Sequence, residues 1–233
     1  MDAAEIDRMA AVEDKHWWFA ERRSLLRTVL RDRRNGGWAA DIGAGAGGNV
    51  RVLQALGWKT VAFEYSEAGA ALARARGLCV ARADAHTLPL GSGSMGVVTA
   101  LDVLEHLEDD AQAARELRRV LRPDGVLVVA VPADMSLWSA HDVAVGHHRR
   151  YDRAQLHRLL TDAGLDVIRL WSWNVLLRPL AALHRKRDTG SDIKPVPPVL
   201  NLALRSAVAL ERLLPVSGRR GVSLFALAVP KVV

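Results

Sequence analysis

The sequence predicts an α/β fold, a parallel sheet covered by helices on both faces. Three observations carry that prediction. Short apolar runs alternate with segments of helical periodicity along most of the chain. The connections between them are short, as strand-helix-strand units require. A glycine cluster at Gly43, Gly45, Gly47 and Gly48 falls between the first apolar run and the helical segment after it, where a strand must turn tightly into a helix.

The elements follow in order. A helical N-terminal region, 1–36, precedes the sheet. Strands are predicted at 38–42, 60–64, 79–83, 96–100, 126–131, 166–173 and 222–229, with helices at 50–56, 67–76, 109–121 and 153–163. Leu121-Arg122-Pro123-Asp124-Gly125 reads as a helix stop feeding the fifth strand. Residues 174–221 break the rhythm: a leucine-rich stretch runs to Leu183, a polar, proline-bearing linker covers 185–198, and an apolar helix covers 199–214. In that helix Leu200, Ala203, Leu204, Ala207, Val208, Leu210 and Leu214 form a broad stripe, with Arg205 and Arg212 as its polar positions. Such a helix is either a cap packed on the domain or a basic amphipathic surface facing lipid or an anionic substrate.

Half of the 233 residues are hydrophobic, which suits one ample core in a single domain, 1–233, and excludes a disordered chain. The formal charge of +6 is local, because residues 174–221 hold nine Lys/Arg against three Asp/Glu and the remainder balances. No apolar run reaches the roughly 18 residues that span a bilayer, and the acidic start lacks the positive charge of a signal peptide. The expectation is cytoplasmic residence, with peripheral membrane contact through the basic insert. The single cysteine, Cys79, falls in a strand predicted to be buried, so a packing role is expected and neither a disulfide framework nor a cysteine metal site is available.

The stretch from Asp41 to Gly48 is built to hold a nucleotide-like ligand, since glycine lets the backbone approach closely and the free N–H groups of the next helix face what sits there. Two cofactor classes fit. Gly43, Gly45 and Gly48 keep the G-x-G-x-x-G spacing of dinucleotide binding, with Glu64 near the place of a ribose-binding acid. Asp41 favours S-adenosylmethionine over NAD, because a carboxylate at that strand end accepts a hydrogen bond from a cationic amino group and repels a pyrophosphate. Glu64 closes the second strand and can accept both ribose hydroxyls. Asp84 closes the third and can accept the exocyclic amine of adenine, with the Ala85 amide beside it. The fourth strand runs into Leu101-Asp102-Val103-Leu104-Glu105-His106-Leu107, which places two carboxylates and an imidazole at the mouth of the sheet.

Taken together, Asp41 to Gly47, Glu64, Asp84, Leu104-Glu105-His106 and Leu121 to Gly125 resemble the class I S-adenosylmethionine-dependent methyltransferases, in particular their small-molecule group. The resemblance covers roughly residues 15–173 and the last strand. It implies a Rossmann-like seven-stranded sheet with the last strand antiparallel, a cofactor over the glycine turn, and an acceptor above the fourth and fifth strands. Its cofactor-binding set is Asp41, Gly43, Gly45, Gly47, Glu64, Tyr65, Asp84, Ala85 and Leu101. The chain departs from the family at Met95-Gly96, where an Asp is frequent, and at Pro123-Asp124-Gly125, where Pro-Gly-Gly is frequent.

Ahead of the first strand stand His16-Trp17-Trp18-Phe19, Arg22 and Arg23. Similar methyltransferases use such a leading helix as a lid, which makes 1–36 a shield for the sulfonium with Arg22 or Arg23 available to a carboxylate. After the fifth strand, Trp138-Ser139-Ala140-His141-Asp142 and Gly146-His147-His148-Arg149-Arg150-Tyr151 leave the substrate edge of the sheet. There His141, Asp142 and His147 supply a base and its orienter, or with His106 a metal site. The reading taken is acid–base, with His106, His141, Asp142 and His147 as candidate catalytic residues and no metal.

The expected function is methyl transfer from S-adenosylmethionine to an oxygen or nitrogen of a small-molecule or lipid-linked acceptor. Nucleic acid is not expected as a partner, because the basic insert contains no aromatic residue on which bases would stack. Two alternatives stay open: an NAD-dependent oxidoreductase, resting on the glycine spacing, and a non-catalytic cofactor-binding protein that docks at a membrane surface through 174–221.

Overall fold

The structure, a computed structural model, describes residues 3–33, 37–185 and 195–231. Most of the polar linker expected between 185 and 198 lies outside the described residues, as do both ends of the expected lid. In chain order the elements are α1 (Ala3–Val12), α2 (Trp17–Leu30), β1 (Trp38–Ile42), α3 (Gly48–Ala55), β2 (Lys59–Glu64), α4 (Glu67–Ala75), β3 (Val80–Arg82) and β4 (Met95–Leu101). They continue with α5 (Asp110–Val120), β5 (Leu121–Pro132), α6 (Ala140–Val145), α7 (Arg153–Asp162), β6 (Leu165–Trp173), α8 (Arg178–Arg185), α9 (Pro198–Glu211) and β7 (Ser223–Pro230).

The strands form one seven-stranded sheet in the order β3-β2-β1-β4-β5-β7-β6. Strand β7 runs antiparallel to both neighbours, and the pairs from β3 to β5 are parallel. Every strand except β7 therefore ends on the same edge. Chain direction across the sheet reverses between β1 and β4, the crevice in which doubly wound folds bind ligands.

Alternation along the central strands supplies two cores. Ala40, Ile42, Val98, Ala100, Leu127 and Val129 face α5 and α7 through Leu117, Leu156 and Leu160. Their neighbours Ala39, Val97, Val126, Val128 and Ala130 face α2, α3 and α9 through Leu26, Leu53 and Val208. A strand buried on both faces needs apolar residues at every position, which is why these runs lack polar alternation. Helix starts are set by capping side chains: Ser66 for α4, Asp109 for α5, and for α7 the reciprocal pair Asp152 and Gln155.

The structure revises five sequence expectations. Strand β3 is shorter than 79–83, and Cys79 is exposed, not buried. Only β2 pairs with β3, so this edge strand leaves one side uncovered. Residues Leu121 to Gly125 belong to β5, because Leu121 pairs with Met95 and a bulge between Met95 and Val97 absorbs the offset. The stripe of the insert helix is narrower than drawn: Leu204 and Ala207 are half-buried and Val208 is buried, while Leu200, Ala203, Leu210 and Leu214 are exposed. The inward face runs instead through Asn201, Leu204, Val208 and Glu211, and Asn201 Nδ2 and Oδ1 bond Lys15 O and Trp17 N at 2.9 and 2.7 Å. The helix also ends at Glu211, ahead of the expected 214. Finally, the departure at Met95-Gly96 has a packing cause, since a Cβ on Gly96 would lie 2.8 Å from the Trp58 ring.

Candidate active site

The carboxyl edge of the sheet opens into a cavity of about 1030 Å³. Its floor is the turn after β1. Gly45 (φ 52°) lines the cavity, and no protein atom lies within 4 Å of where its Cβ would stand, so ligand approach is unobstructed there. Gly47 (φ 86°) differs, because its Cβ would meet Leu78 Cδ1 at 2.0 Å and the residue does not reach the wall. Gly47, expected from the sequence in the cofactor set, does not line the cavity, and its positive φ together with the neighbouring Leu78 accounts for the glycine.

Glu64 crosses from the end of β2 to that turn. Its Oε2 accepts from the Gly45 amide and its Oε1 from the Ser66 amide, each at 2.8 Å. Both oxygens keep a second acceptor direction, so the carboxylate is fixed in place and still able to receive hydroxyl donors. Gly43, Tyr65, Asp84, Ala85 and Leu101 also line the cavity. Asp84 Oδ1 is shared with the His86 amide at 2.9 Å and the His86 Nδ1 at 2.6 Å, a partner not singled out from the sequence.

Asp41 lies one layer deeper than expected. It is 1% exposed and absent from the cavity wall, because the end of β1 is covered on both faces. The Thr99 hydroxyl donates to its Oδ1 at 2.5 Å, and Oδ2 has no partner. Burial pushes the Asp41 carboxyl up to about 7, with the Thr99 bond opposing the rise.

Three non-glycine residues with positive φ stand at this edge: Asp102 (58°) after β4, Asp134 (65°) after β5 and Asn174 (57°) after β6. Strain of this kind concentrates where a scaffold aims side chains at a ligand. Asp102 pairs with Arg22 of α2, whereas Arg23 bonds the Glu13 carbonyl at 3.0 Å. Asn174 lines the cavity, 1% exposed, with neither amide atom bonded.

The histidines gather on the far wall. Asp142, fully buried and behind the wall, holds His147 Nδ1 at 2.8 Å, and the rings of His106 and His141 stand 4.7 and 6.2 Å from that of His147. His106 Nδ1 meets the Gly146 carbonyl at 3.2 Å. Burial, and then the neighbouring His147, lower the His106 imidazole to about 4. Between them sits Glu105, 0% exposed, with neither oxygen hydrogen-bonded. Burial and then the Asp102 charge hold its carboxyl well above the usual range. The sequence placed Glu105 at the mouth of the sheet and Arg150, which clamps Asp142, in the polar loop, but assigned neither a role in the site. The signal was present in Glu105, an acid between Leu104 and His106 in the turn that follows the apolar strand β4.

Opposite this wall, Trp17, Trp18 and Phe19 of α2 and Leu177, Leu180 and Leu204 of the insert complete an apolar end. Trp18 packs on Trp173 with centroids 4.5 Å apart, which anchors the leading helix to the end of β6.

Comparison with known proteins bears on this geometry. A family described as "Methyltransferase domain" matches residues 40–129, the span from β1 to β5 that carries the turn, Glu64 and Glu105. A probable S-adenosylmethionine-dependent methyltransferase of Mycolicibacterium smegmatis is 31% identical over 158 residues, 66% of this chain and 61% of that protein. These matches support the class I S-adenosylmethionine-dependent methyltransferase superfamily for this chain. A second relative, from Mycobacterium tuberculosis, is 30% identical over 154 residues, 64% of this chain and 56% of its own length. The chain thus spans about three-fifths of the length of the curated relatives it matches.

Among solved structures, the fold is similar to a putative methyltransferase of Haloferax volcanii in complex with a Trm112 activator, with TM-score 0.68, 22% identity, and 99% and 96% of the two chains covered. It is also similar to a possible histamine N-methyltransferase of Thermotoga maritima, with TM-score 0.63, 19% identity, and 98% and 96% covered.

The relatives are named for S-adenosylmethionine, and the site suits that group. The open cradle at Gly45 and the fixed Glu64 carboxylate favour a nucleoside with ribose hydroxyls. The Glu64 and Asp102 carboxylates on the wall disfavour a diphosphate and so weigh against NAD, which rests on glycine spacing alone. Among the described residues, no helix is long and apolar enough to cross a membrane.

Proposed function

We propose that the protein transfers the methyl group of S-adenosylmethionine to an oxygen or nitrogen of a small-molecule or lipid-linked acceptor. One observation carries this reading: a single cavity joins the glycine turn and Glu64 to the Glu105–His106–His147 wall and to the apolar residues of α8 and α9. The backbone around Gly45 and the free acceptor sites of Glu64 hold the nucleoside, with Asp84 and the Ala85 amide at the base. When bound, S-adenosylmethionine supplies a methyl group on a cationic sulfonium.

What the chain adds is alignment, dryness and a proton acceptor. Alignment of two bound reactants is worth up to about 7–11 kcal/mol in favourable intramolecular cases. Trp17, Trp18 and Phe19 exclude water from the transfer. The proton acceptor is the polar wall, on which Asp142 fixes His147 so that Nε2 faces Glu105, 3.8 Å away, with His106 and His141, the base candidates of the sequence, beside it. The half-exposed leucines of α8 and α9 favour an acceptor with an apolar part.

The test is a calorimetric titration of the purified chain with S-adenosylmethionine, S-adenosylhomocysteine and NAD, followed by an acceptor screen for product methylation. Micromolar binding of the first two without NAD, and methylation of an apolar hydroxylated or aminated acceptor, support the reading. Cofactor binding without transfer to any acceptor supports the non-catalytic alternative, and NAD binding alone overturns the assignment.

A further inference from the structure

Of the carboxylates around the histidine wall, Glu105 is the one with neither a hydrogen bond nor a guanidinium partner. Asp142 is gripped by Arg150 at 2.8 and 3.0 Å, and Asp102 is paired with Arg22. Glu105 has no exposed surface and no hydrogen bond on either oxygen. A buried carboxylate in that condition is unfavourable unless it takes up a proton or a cation.

What surrounds it is suited to a cation. One ligand atom each from Glu105, His106 and His147 lie within 4.8 Å of one another. Each imidazole has its Nδ1 engaged behind it, His147 with the Asp142 carboxylate at 2.8 Å and His106 with the Gly146 carbonyl at 3.2 Å. This is how metal-binding histidines are oriented, with the outer partner fixing the ring and leaving Nε2 to the ion. The scaffold is tied as well, because the His148 amide donates to the Glu105 carbonyl at 2.8 Å and joins the turn after β4 to the turn after α6.

We infer that Glu105, His106 and His147 form a binding site for one divalent first-row transition ion, open on the side that faces the cavity. Two imidazoles and one carboxylate select this class over magnesium or calcium, which prefer all-oxygen sets. Three protein ligands leave free positions, the pattern of a site that also meets substrate. Ligands sharing an ion at about 2.1 Å stand at most about 4.2 Å apart, and His147 Nε2 and the Glu105 carboxylate, 3.8 Å apart, meet that limit. This departs from the metal-free reading of the sequence. Binding of the ion can be tested apart from the proposed function, but a loaded site occupies the His147 Nε2 named there as proton acceptor, so on that reading the ion would polarise the acceptor's oxygen or nitrogen instead.

The test uses the full chain stripped with a chelator and then titrated separately with Zn²⁺, Mn²⁺ and Co²⁺. The expected result is one equivalent of Zn²⁺ or Co²⁺, visible absorption from bound Co²⁺, and at least a tenfold loss of affinity in Glu105→Gln and in His147→Gln. Co²⁺ absorption of the wild-type chain needs no variant, so the site stays testable if either substitution prevents folding. Absence of binding by all three ions, or binding that both folded variants retain in full, overturns the inference. S-adenosylhomocysteine titrated into the stripped chain reports separately on the cofactor site: its failure would count against the methyltransferase reading and leave a measured metal site standing.

Discussion

Arg150 Nε and Nη2 donate to the two carboxylate oxygens of Asp142 at 2.8 and 3.0 Å, and neither residue is more than 2% exposed. The same carboxylate fixes His147, so one buried ion pair both closes the loop after β5 and aims an imidazole into the cavity. Removing one partner of such a pair costs about 3–5 kcal/mol, because the other charge stays buried alone. Arg150→Met is therefore expected to lower stability by that amount in urea unfolding. The double change Arg150→Met with Asp142→Leu is expected to recover most of it, while methyl transfer stays low because His147 has lost its orienter. A single-variant loss below about 1 kcal/mol would show that the pair is not what holds this loop.

Glu64→Ala removes two anchored acceptor atoms from the end of β2. Loss of hydrogen bonds to a charged group corresponds to at least about 1 kcal/mol, or roughly fivefold in affinity. Calorimetry with S-adenosylhomocysteine should show that weakening, with a melting curve to confirm that the Gly45 turn persists. Unchanged affinity would take Glu64 out of the site.

The two glycines of the turn are expected to separate binding from stability. Gly47→Ala places a methyl group on Leu78 and is expected to unfold at clearly lower denaturant, since strain at positive φ of about 1–2 kcal/mol adds to the clash. Gly45→Ala meets no protein atom, so its stability loss is limited to the strain while its affinity for the cofactor falls. Equal stability losses in the two variants would contradict this division.

Asp41 gives a pH dependence of defined sign. Its carboxyl is raised by burial to about 7 from an ordinary value of 3.8, so between those values the unfolded chain has released a proton that the folded chain keeps. Stability from this group is complete below pH 3.8 and declines as pH rises through about 7, by roughly 4 kcal/mol at 1.36 kcal/mol per unit. Relative to the wild type, Asp41→Asn should gain stability from pH 4 to pH 8. A bound ammonium favours the ionised form, so cofactor affinity is expected to strengthen from pH 6 to 8 in the wild type and not in the variant. Parallel pH profiles of the two proteins would remove Asp41 from both roles.

Some of this was legible in the chain because the physics is local. A strand followed by glycines and a helix is set by φ preferences and by apolar periodicity over a dozen residues. The seven strands, the Gly45 turn and Glu64 at the end of β2 all follow from such short windows. The inward face of α9 did not, because a helix apolar nearly all round is oriented only by what it packs on, here Val208 against the α2 side of the sheet and Asn201 against Lys15 and Trp17.

By itself, then, the sequence determined the strand-helix order, the cofactor turn and its acidic partner, and the place of the polar loops at one edge. The tertiary structure decided that Asp142 serves His147, that Arg150 neutralises Asp142, that Asp41 lies beneath the wall, and that Glu105 is left without a partner between two imidazoles. The reason is physical: backbone preference acts between neighbours in sequence, whereas burial and charge compensation depend on which distant side chains share a space closed to water.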